Sequence, residues 1–247
     1  MTTTDWDYSA LAAHYDKRAP YAPVALDALV AALALPPGAP AADIGAGTGR
    51  LALPLSERGL DVTAVEPNDA MRAIGRRHER ATLRYVDATG EATGLSDGAF
   101  ALVAYGSSFN VLDPARALRE AVRLLCAGGA IALMWNHRDL DDPLQDAIER
   151  AIHRRVPDYA YGTRRADPSA QIEASGAFGA VRTIEHRFRH RTSSADFLDG
   201  FRAHATLLRQ AGDARDAVLA DIAALVGDGD TLAVPFATRI WYARRTR

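Results

Sequence analysis

The stretch Asp43-Ile44-Gly45-Ala46-Gly47-Thr48-Gly49 sets glycines at every second position between a short apolar run, 41–44, and an amphipathic one, 49–58. A strand that ends in such a turn and feeds a helix is the opening half of a parallel βαβ unit. Lacking a Cβ, glycine lets the turn tighten, lets a ligand lie against bare backbone, and leaves the amides of the helix N-terminus open to that ligand. The spacing is G-x-G-x-G. A dinucleotide turn reads G-x-G-x-x-G, and Arg50 stands at its third glycine position, too bulky for a pyrophosphate to come close. The turn therefore favours a ligand without a pyrophosphate.

The same alternation continues along the chain. Apolar runs at 62–65, 83–86, 100–105 and 131–135 read as strands, and helical periodicity marks 24–35, the segment that Asn68 caps through about Arg77, and the stretch 117–125, with Gly128-Gly129 as its stop. Beyond Trp135 the rhythm changes. A helix capped by Asp142 is expected over 143–156, a shorter one over 168–175, then a strand at 181–191, helices at 195–208 and 214–226, and a closing strand at 234–242. Two late strands separated by helices predict an antiparallel end to a parallel sheet. No repeat or linker divides the chain, so one α/β domain over 1–247 is expected, with a core over 1–137 and cap insertions over 138–175 and 192–228.

Composition removes several classes. In 247 residues, 48% are hydrophobic, ample for a buried core even though 50 of them are alanine. Arg supplies 28 of the 29 basic residues, Lys17 being the lone lysine, a bias that a GC-rich coding sequence explains. Net charge is −2, but residues 1–149 hold 13 basic and 20 acidic side chains while 150–247 hold 16 and 11. That lacks the domain-wide basic excess of a nucleic-acid binder. Cys126 is the sole cysteine, which excludes an internal disulfide and a cysteine-based zinc site. Residues 1–10 carry no leader pattern and the longest apolar stretch is broken by Pro36-Pro37, so a cytoplasmic protein without a membrane span is expected.

Two acidic residues extend the first signal. Glu66 closes the second strand, where a carboxylate can accept both hydroxyls of a ribose. Asp87 closes the third, where it could accept from an exocyclic adenine amine while Ala88 offers its amide to the ring. With Asp43 to Gly49, Val65-Glu66-Pro67 and the run Arg119 to Ile131 through Gly128-Gly129 in view, the sequence resembles the class I S-adenosylmethionine-dependent methyltransferases. The nearest subset is a bacterial small-molecule group, methyltransferase type 11-like, to which Phe109-Asn110-Val111-Leu112-Asp113-Pro114 and Trp135-Asn136 also correspond. Two departures stand out. Asn110 and Val111 occupy positions where that group often has His and Trp, and Ala101 follows Phe100 where Asp is common.

The resemblance implies a Rossmann-like, doubly wound sheet of seven strands, one antiparallel, with S-adenosylmethionine as cofactor. It also implies that the segment His14 to Tyr21 folds over that cofactor, with Tyr15 or Tyr21 near the sulfonium and Arg18 on the methionine carboxylate. Further cofactor contacts are expected from Asp43, Gly45, Ala46, Gly47, Glu66, Pro67, Met71, Asp87, Ala88, Tyr105 and Gly106, with Ser107 beside the methyl group. Methyl transfer requires alignment and exclusion of water more than covalent help. A base matters only for a weakly nucleophilic acceptor; His137 is the candidate, with Asn110 and Tyr21 orienting. The expected partner is a small-molecule acceptor, planar or anionic, and the chain a monomer or homodimer.

Other constellations read as structure. His186 and His190 share one strand face with Ile184 and Phe188, without a third metal ligand; Asp139, Asp141 and Asp142 read as a helix start rather than a magnesium site. The aromatic loop 157–162, flanked by Arg154-Arg155 and Arg164-Arg165, could close over an acceptor. Two other readings compete: a nicotinamide-dependent oxidoreductase, which Arg50 and the absence of a Tyr-x-x-x-Lys pair oppose, and a non-catalytic module that binds the same cofactor.

Overall fold

The computed structural model describes residues 8–161 and 166–246. Its strands are β1 Pro40–Ile44, β2 Asp61–Val65, β3 Leu83–Val86, β4 Phe100–Gly106, β5 Leu125–Arg138, β6 Arg182–Thr192 and β7 Leu232–Arg244. Its α-helices are α1 Ala12–Tyr15, α2 Pro23–Ala32, α3 Ala52–Glu57, α4 Asp69–Gly75, α5 Pro114–Leu124, α6 Pro143–Arg155, α7 Ser169–Ala174, α8 Ser194–Arg202, α9 Ala205–Ala211 and α10 Arg215–Val226. All seven strands form one sheet in the order β3-β2-β1-β4-β5-β7-β6. The pairs β1–β2, β1–β4, β2–β3 and β4–β5 are parallel, while β7 runs antiparallel to both β5 and β6. This is the expected doubly wound sheet with one antiparallel strand.

Capping chemistry sets the helix starts. Asn68 accepts from the Met71 amide at 3.0 Å, Asp113 from Arg116 at 2.8 Å, and Asp142 from Leu144 and Gln145 at 3.1 Å each. Apolar side chains cover both sheet faces. One cluster joins α2 and α3 to the sheet through Leu26, Leu29 and Leu55, and the other joins α5 through Leu118 and Leu124. A third cluster, with Ile148, Ile152, Phe197, Phe201, Leu207 and Ile222, is the core of a helical cap built from α6 and α8 to α10.

Four expectations change. Gly128-Gly129 lies inside β5: α5 stops at Leu124, and the glycines sit where the β4–β5 register shifts between Phe100 and Leu102, Gly128 at φ +74°. The helix expected over 195–208 breaks, because the chain turns at Ala203 and the His204 side chain caps α9 by accepting from Leu207 at 3.2 Å. The helix expected from 49 begins at Ala52, since the turn conformation persists past Gly49 at φ +96°. Finally, α7 does not join the cap. Ile172 packs with Phe178 and Trp241 in the sheet-face cluster beside α5. Among the described residues no helix is long and apolar enough to cross a membrane.

Candidate active site

The C-terminal ends of β1, β2 and β4 converge where the strand order reverses, the crevice in which open α/β sheets bind ligands. Gly45 and Ala46 donate to the Val65 carbonyl at 2.8 and 3.0 Å, docking the glycine turn onto the end of β2. Glu66, buried at that end, accepts from Gly47 through Oε2 and from Asn68 through Oε1, both at 2.8 Å. Burial raises its pKa, and the two amides oppose the rise. Each carboxylate oxygen keeps further acceptor capacity, so Glu66 can brace the turn and still receive hydroxyls.

The glycines are required by geometry. A Cβ on Gly45, at φ +68°, would lie 2.6 Å from Ser108 Cβ. At Gly47, φ +58°, the nearest atoms, on Met71 and Tyr15, lie 3.9 Å from where a Cβ would stand, leaving bare backbone open to a ligand.

Two cavities meet at this turn and share Tyr15, Gly45, Gly47, Gly106 and Ser107 in their walls. The wider, about 550 Å³, adds Glu66, Pro67, Asn68, Met71, the stretch Thr89-Gly90-Glu91, Val111 and Leu112. The narrower, about 110 Å³, adds Arg18, Tyr21, Asp43, Ala46, Arg50 and the β5 end Trp135 to Arg138, with Tyr161 and His204 from the cap side. Asp43 is fully buried and neither carboxylate oxygen has a hydrogen-bond partner, the Ala52 backbone amide acting on it only as a weak counter to burial. Burial, with the nearby Glu66 charge, pushes its carboxyl up to about 8. Tyr21 donates to or accepts from Ser107 Oγ at 3.0 Å, and burial pushes its hydroxyl up to about 12. Ser107 itself holds φ +64°, a left-handed backbone unusual for a residue with a Cβ.

The N-terminal strap is tied to the turn. Thr48 donates to the Asp16 carboxylate, and Arg50 donates to the Asp16 carbonyl at 2.8 Å and to the Arg18 carbonyl. Asn136 donates to the Ala19 and Pro20 carbonyls at 2.9 and 2.6 Å, so it holds the strap as well as lining the narrower cavity. Arg18 rests 5.2 Å over the Tyr15 ring.

Of the expected contacts, Tyr15, Arg18, Tyr21, Asp43, Gly45, Ala46, Gly47, Glu66, Pro67, Met71, Gly106, Ser107 and His137 all line one or both cavities. Four do not. Side chains alternate along β4, and Tyr105 points to the far face, where its hydroxyl donates to the Ala117 carbonyl at 3.1 Å. Asp87 pairs with Arg72 at 2.9 Å and lies outside the wall, as does Ala88, which packs on the core; Thr89-Gly90-Glu91 stand there instead. Asn110 accepts from the Trp135 indole at 3.2 Å and positions that ring. Arg50, Arg138 and His204 were not expected, whereas Tyr161 belongs to the aromatic loop expected to close over an acceptor. Arg50 follows the turn directly, a position the motif already marks.

Among the described residues no cluster could hold a metal ion. Asp142 caps α6 and Asp139 pairs with Arg187 at 3.2 Å, while His186 and His190 alternate with exposed residues along β6. Tyr161 lines the narrower cavity, whereas Gly162, Arg164 and Arg165 lie outside the described residues.

A doubly wound sheet with a glycine cradle, an acidic residue ending β2 and a bipartite crevice defines a binder of a nucleoside-bearing cofactor. Residues 42–133 match the family described as "Methyltransferase domain". The chain is thus similar to the class I S-adenosylmethionine-dependent methyltransferases, the family that its sequence resembles. It is 39% identical over 131 residues to an uncharacterised methyltransferase of Mycobacterium tuberculosis, covering 53% of this chain and 52% of the relative. It is 29% identical over 197 residues to a malonyl-[acyl-carrier protein] O-methyltransferase of Enterobacter lignolyticus, covering 79% and 77%. The chain thus spans about half the length of the mycobacterial relative. A solved chain from Anaeromyxobacter dehalogenans, assigned as a type II methyltransferase, has the same fold, with TM-score 0.66 at 21% identity over 92% of this chain and 97% of that one.

The family's cofactor fits the crevice on two local grounds. Gly47 leaves open a cradle that a larger residue would fill, and the partnerless carboxylate of Asp43 suits a cationic ligand group.

Proposed function

We propose that the protein transfers the methyl group of S-adenosylmethionine to an oxygen or nitrogen of a small-molecule acceptor, with a specialised metabolite as the natural class. The carrying observation is the shared wall: five residues separate a nucleoside-sized cavity from a smaller, polar one. A cofactor whose two ends differ in this way would reach from the first into the second. One relative is a malonyl-[acyl-carrier protein] O-methyltransferase, which supports an oxygen acceptor.

When bound, the cofactor supplies a sulfonium-activated methyl group; the protein's part is to bind, orient and exclude water. Glu66 would accept the ribose hydroxyls, and Pro67 and Met71 would border the base. Asp43 would take the methionine ammonium, which would draw its carboxyl back to the ionised form. Arg18 would hold the methionine carboxylate, and Tyr15 would cover the cofactor from the strap. On the acceptor side, His137 would take up the proton of a weakly nucleophilic acceptor, while Tyr21, neutral at physiological pH, would orient it through the hydrogen bond it shares with Ser107.

The test is product formation. Purified protein incubated with S-adenosylmethionine and a panel of small phenols, amines and carboxylic acids should release S-adenosylhomocysteine with at least one of them. Cofactor binding with no turnover across the panel would favour the non-catalytic module.

A further inference from the structure

Charge in the narrower cavity is unbalanced. Its wall holds Arg18, Arg50 and Arg138. Arg138 is answered: Glu149 lies 3.1 Å away, and its other N–H groups meet the Gln145 side chain and carbonyl at 2.6 and 2.7 Å and Tyr161 at 3.1 Å. Arg18 and Arg50 have no carboxylate within ion-pair distance among the described residues; Asp16, the closest acid along the strap, turns its carboxylate to Thr48. Two of the five N–H groups of Arg50 reach backbone carbonyls, which leaves the rest for a ligand. Burial, and then the Arg18 charge, lower the Arg50 pKa, so the two guanidinium groups are near enough to repel. Asp43, the one acid in this wall, does not offset them while its carboxyl is held near 8.

On the reading above, the cofactor leaves the imbalance in place. Asp43 would answer its ammonium and Arg18 its carboxylate, which leaves the sulfonium and Arg50 without an anionic partner. Desolvated like charges are costly, and one carboxylate cannot answer both guanidinium groups and the sulfonium. A neutral or cationic acceptor would leave the excess in place. The cavity continues outward past Arg18, Arg138 and His204 into a small apolar mouth formed by Phe197, Phe201 and Phe236.

We propose that the acceptor is an organic acid whose anionic group sits against Arg50 while its apolar body lies toward Phe201 and Phe236. This rests on the methyl-transfer reading for the cofactor's charge, but the anion site itself is a property of the chain. Arg50 is then a specificity-determining residue, and the same group that ties the strap also reads the acceptor.

The test uses benzoate, benzamide, benzyl alcohol and benzylamine as probes, titrated by ligand-observed NMR with and without S-adenosylhomocysteine. Benzoate should bind at least about ten-fold tighter than the other three and should bind together with S-adenosylhomocysteine. Arg50→Met should remove that preference, and Arg50→Lys should restore part of it. Equal or tighter binding of benzamide or benzylamine overturns the proposal, as does displacement of benzoate by S-adenosylhomocysteine, since the anion would then merely occupy the cofactor's carboxylate seat. Failure of S-adenosylhomocysteine itself to bind would count against the methyl-transfer reading alone; the acid preference is still decided in its absence.

Discussion

The Gly47 amide donates to Glu66 Oε2 at 2.8 Å across a sequence separation of 19 residues, joining the end of β1 to the end of β2. One side chain thereby holds the turn that carries the ligand and presents the group that reads it. Glu66→Ala removes two charge-assisted hydrogen bonds, each worth about 1.5–3 kcal/mol, together with the hydroxyl acceptor. The expected result is at least about a 100-fold loss of S-adenosylhomocysteine affinity with a lowered melting temperature. Near-wild-type affinity would show that the bracing role is separable from ligand binding.

Asp43 gives a stability prediction with a definite sign. Its folded pKa, about 8, stands above the ordinary 3.8, so protonation favours the folded state. Its contribution is full below about pH 4, declines as pH rises toward 8 and is flat beyond. Asp43→Asn copies the protonated form and should flatten this limb, melting above wild type at pH 8 and converging with it near pH 4. Ligand binding should run the other way: an ammonium partner ionises Asp43, so S-adenosylhomocysteine binding to wild type below pH 8 should release a proton, seen as buffer-dependent heat. Asp43→Asn should show no such release and weaker binding.

Gly45 and Ser108 form a steric pair. Gly45→Ala places its Cβ against Ser108 Cβ at φ +68° and should cost at least about 2 kcal/mol. Adding Ser108→Gly removes the clash but not the backbone penalty, so the double variant should melt above Gly45→Ala alone. Simple additivity of the two losses would place the strain elsewhere.

Acid–base roles separate by pH profile. With its hydroxyl pushed up to about 12, Tyr21 contributes no limb below pH 10, so Tyr21→Phe should slow turnover less than about ten-fold and keep the wild-type profile. His137→Gln should lose about 100-fold or more in kcat and abolish the acidic limb with a phenolic or amine acceptor. An unchanged profile in His137→Gln would leave the histidine a packing partner of Trp241, whose ring lies 6.3 Å away.

The glycine turn, Asp43 and Glu66 were legible because each follows from local grammar: they stand at the carboxyl ends of β1 and β2, beside the crevice, and among the described residues no distant side chain pairs with either carboxylate. Tyr105 shows the limit of that grammar. One step along β4 reverses the face, and only the register of β4 against β1 places Gly106 and Ser107, not Tyr105, at the cavity. Asp87 was open to a long-range competitor, Arg72, that spacing does not reveal. Gly128-Gly129 carries the composition of a helix stop, yet pairing with β4 takes the segment into β5. The strap was foreseen as a cover. What holds it, Arg50 and Asn136, lies 32 or more residues away and depends on tertiary packing.

The most direct measurement is a calorimetric titration of the folded wild-type chain with S-adenosylhomocysteine, followed by challenge with a nicotinamide dinucleotide. Saturable binding of one S-adenosylhomocysteine per chain, which the dinucleotide does not displace, is the expected result. No heat from a chain shown to be folded by circular dichroism, or binding of the dinucleotide in its place, would contradict it.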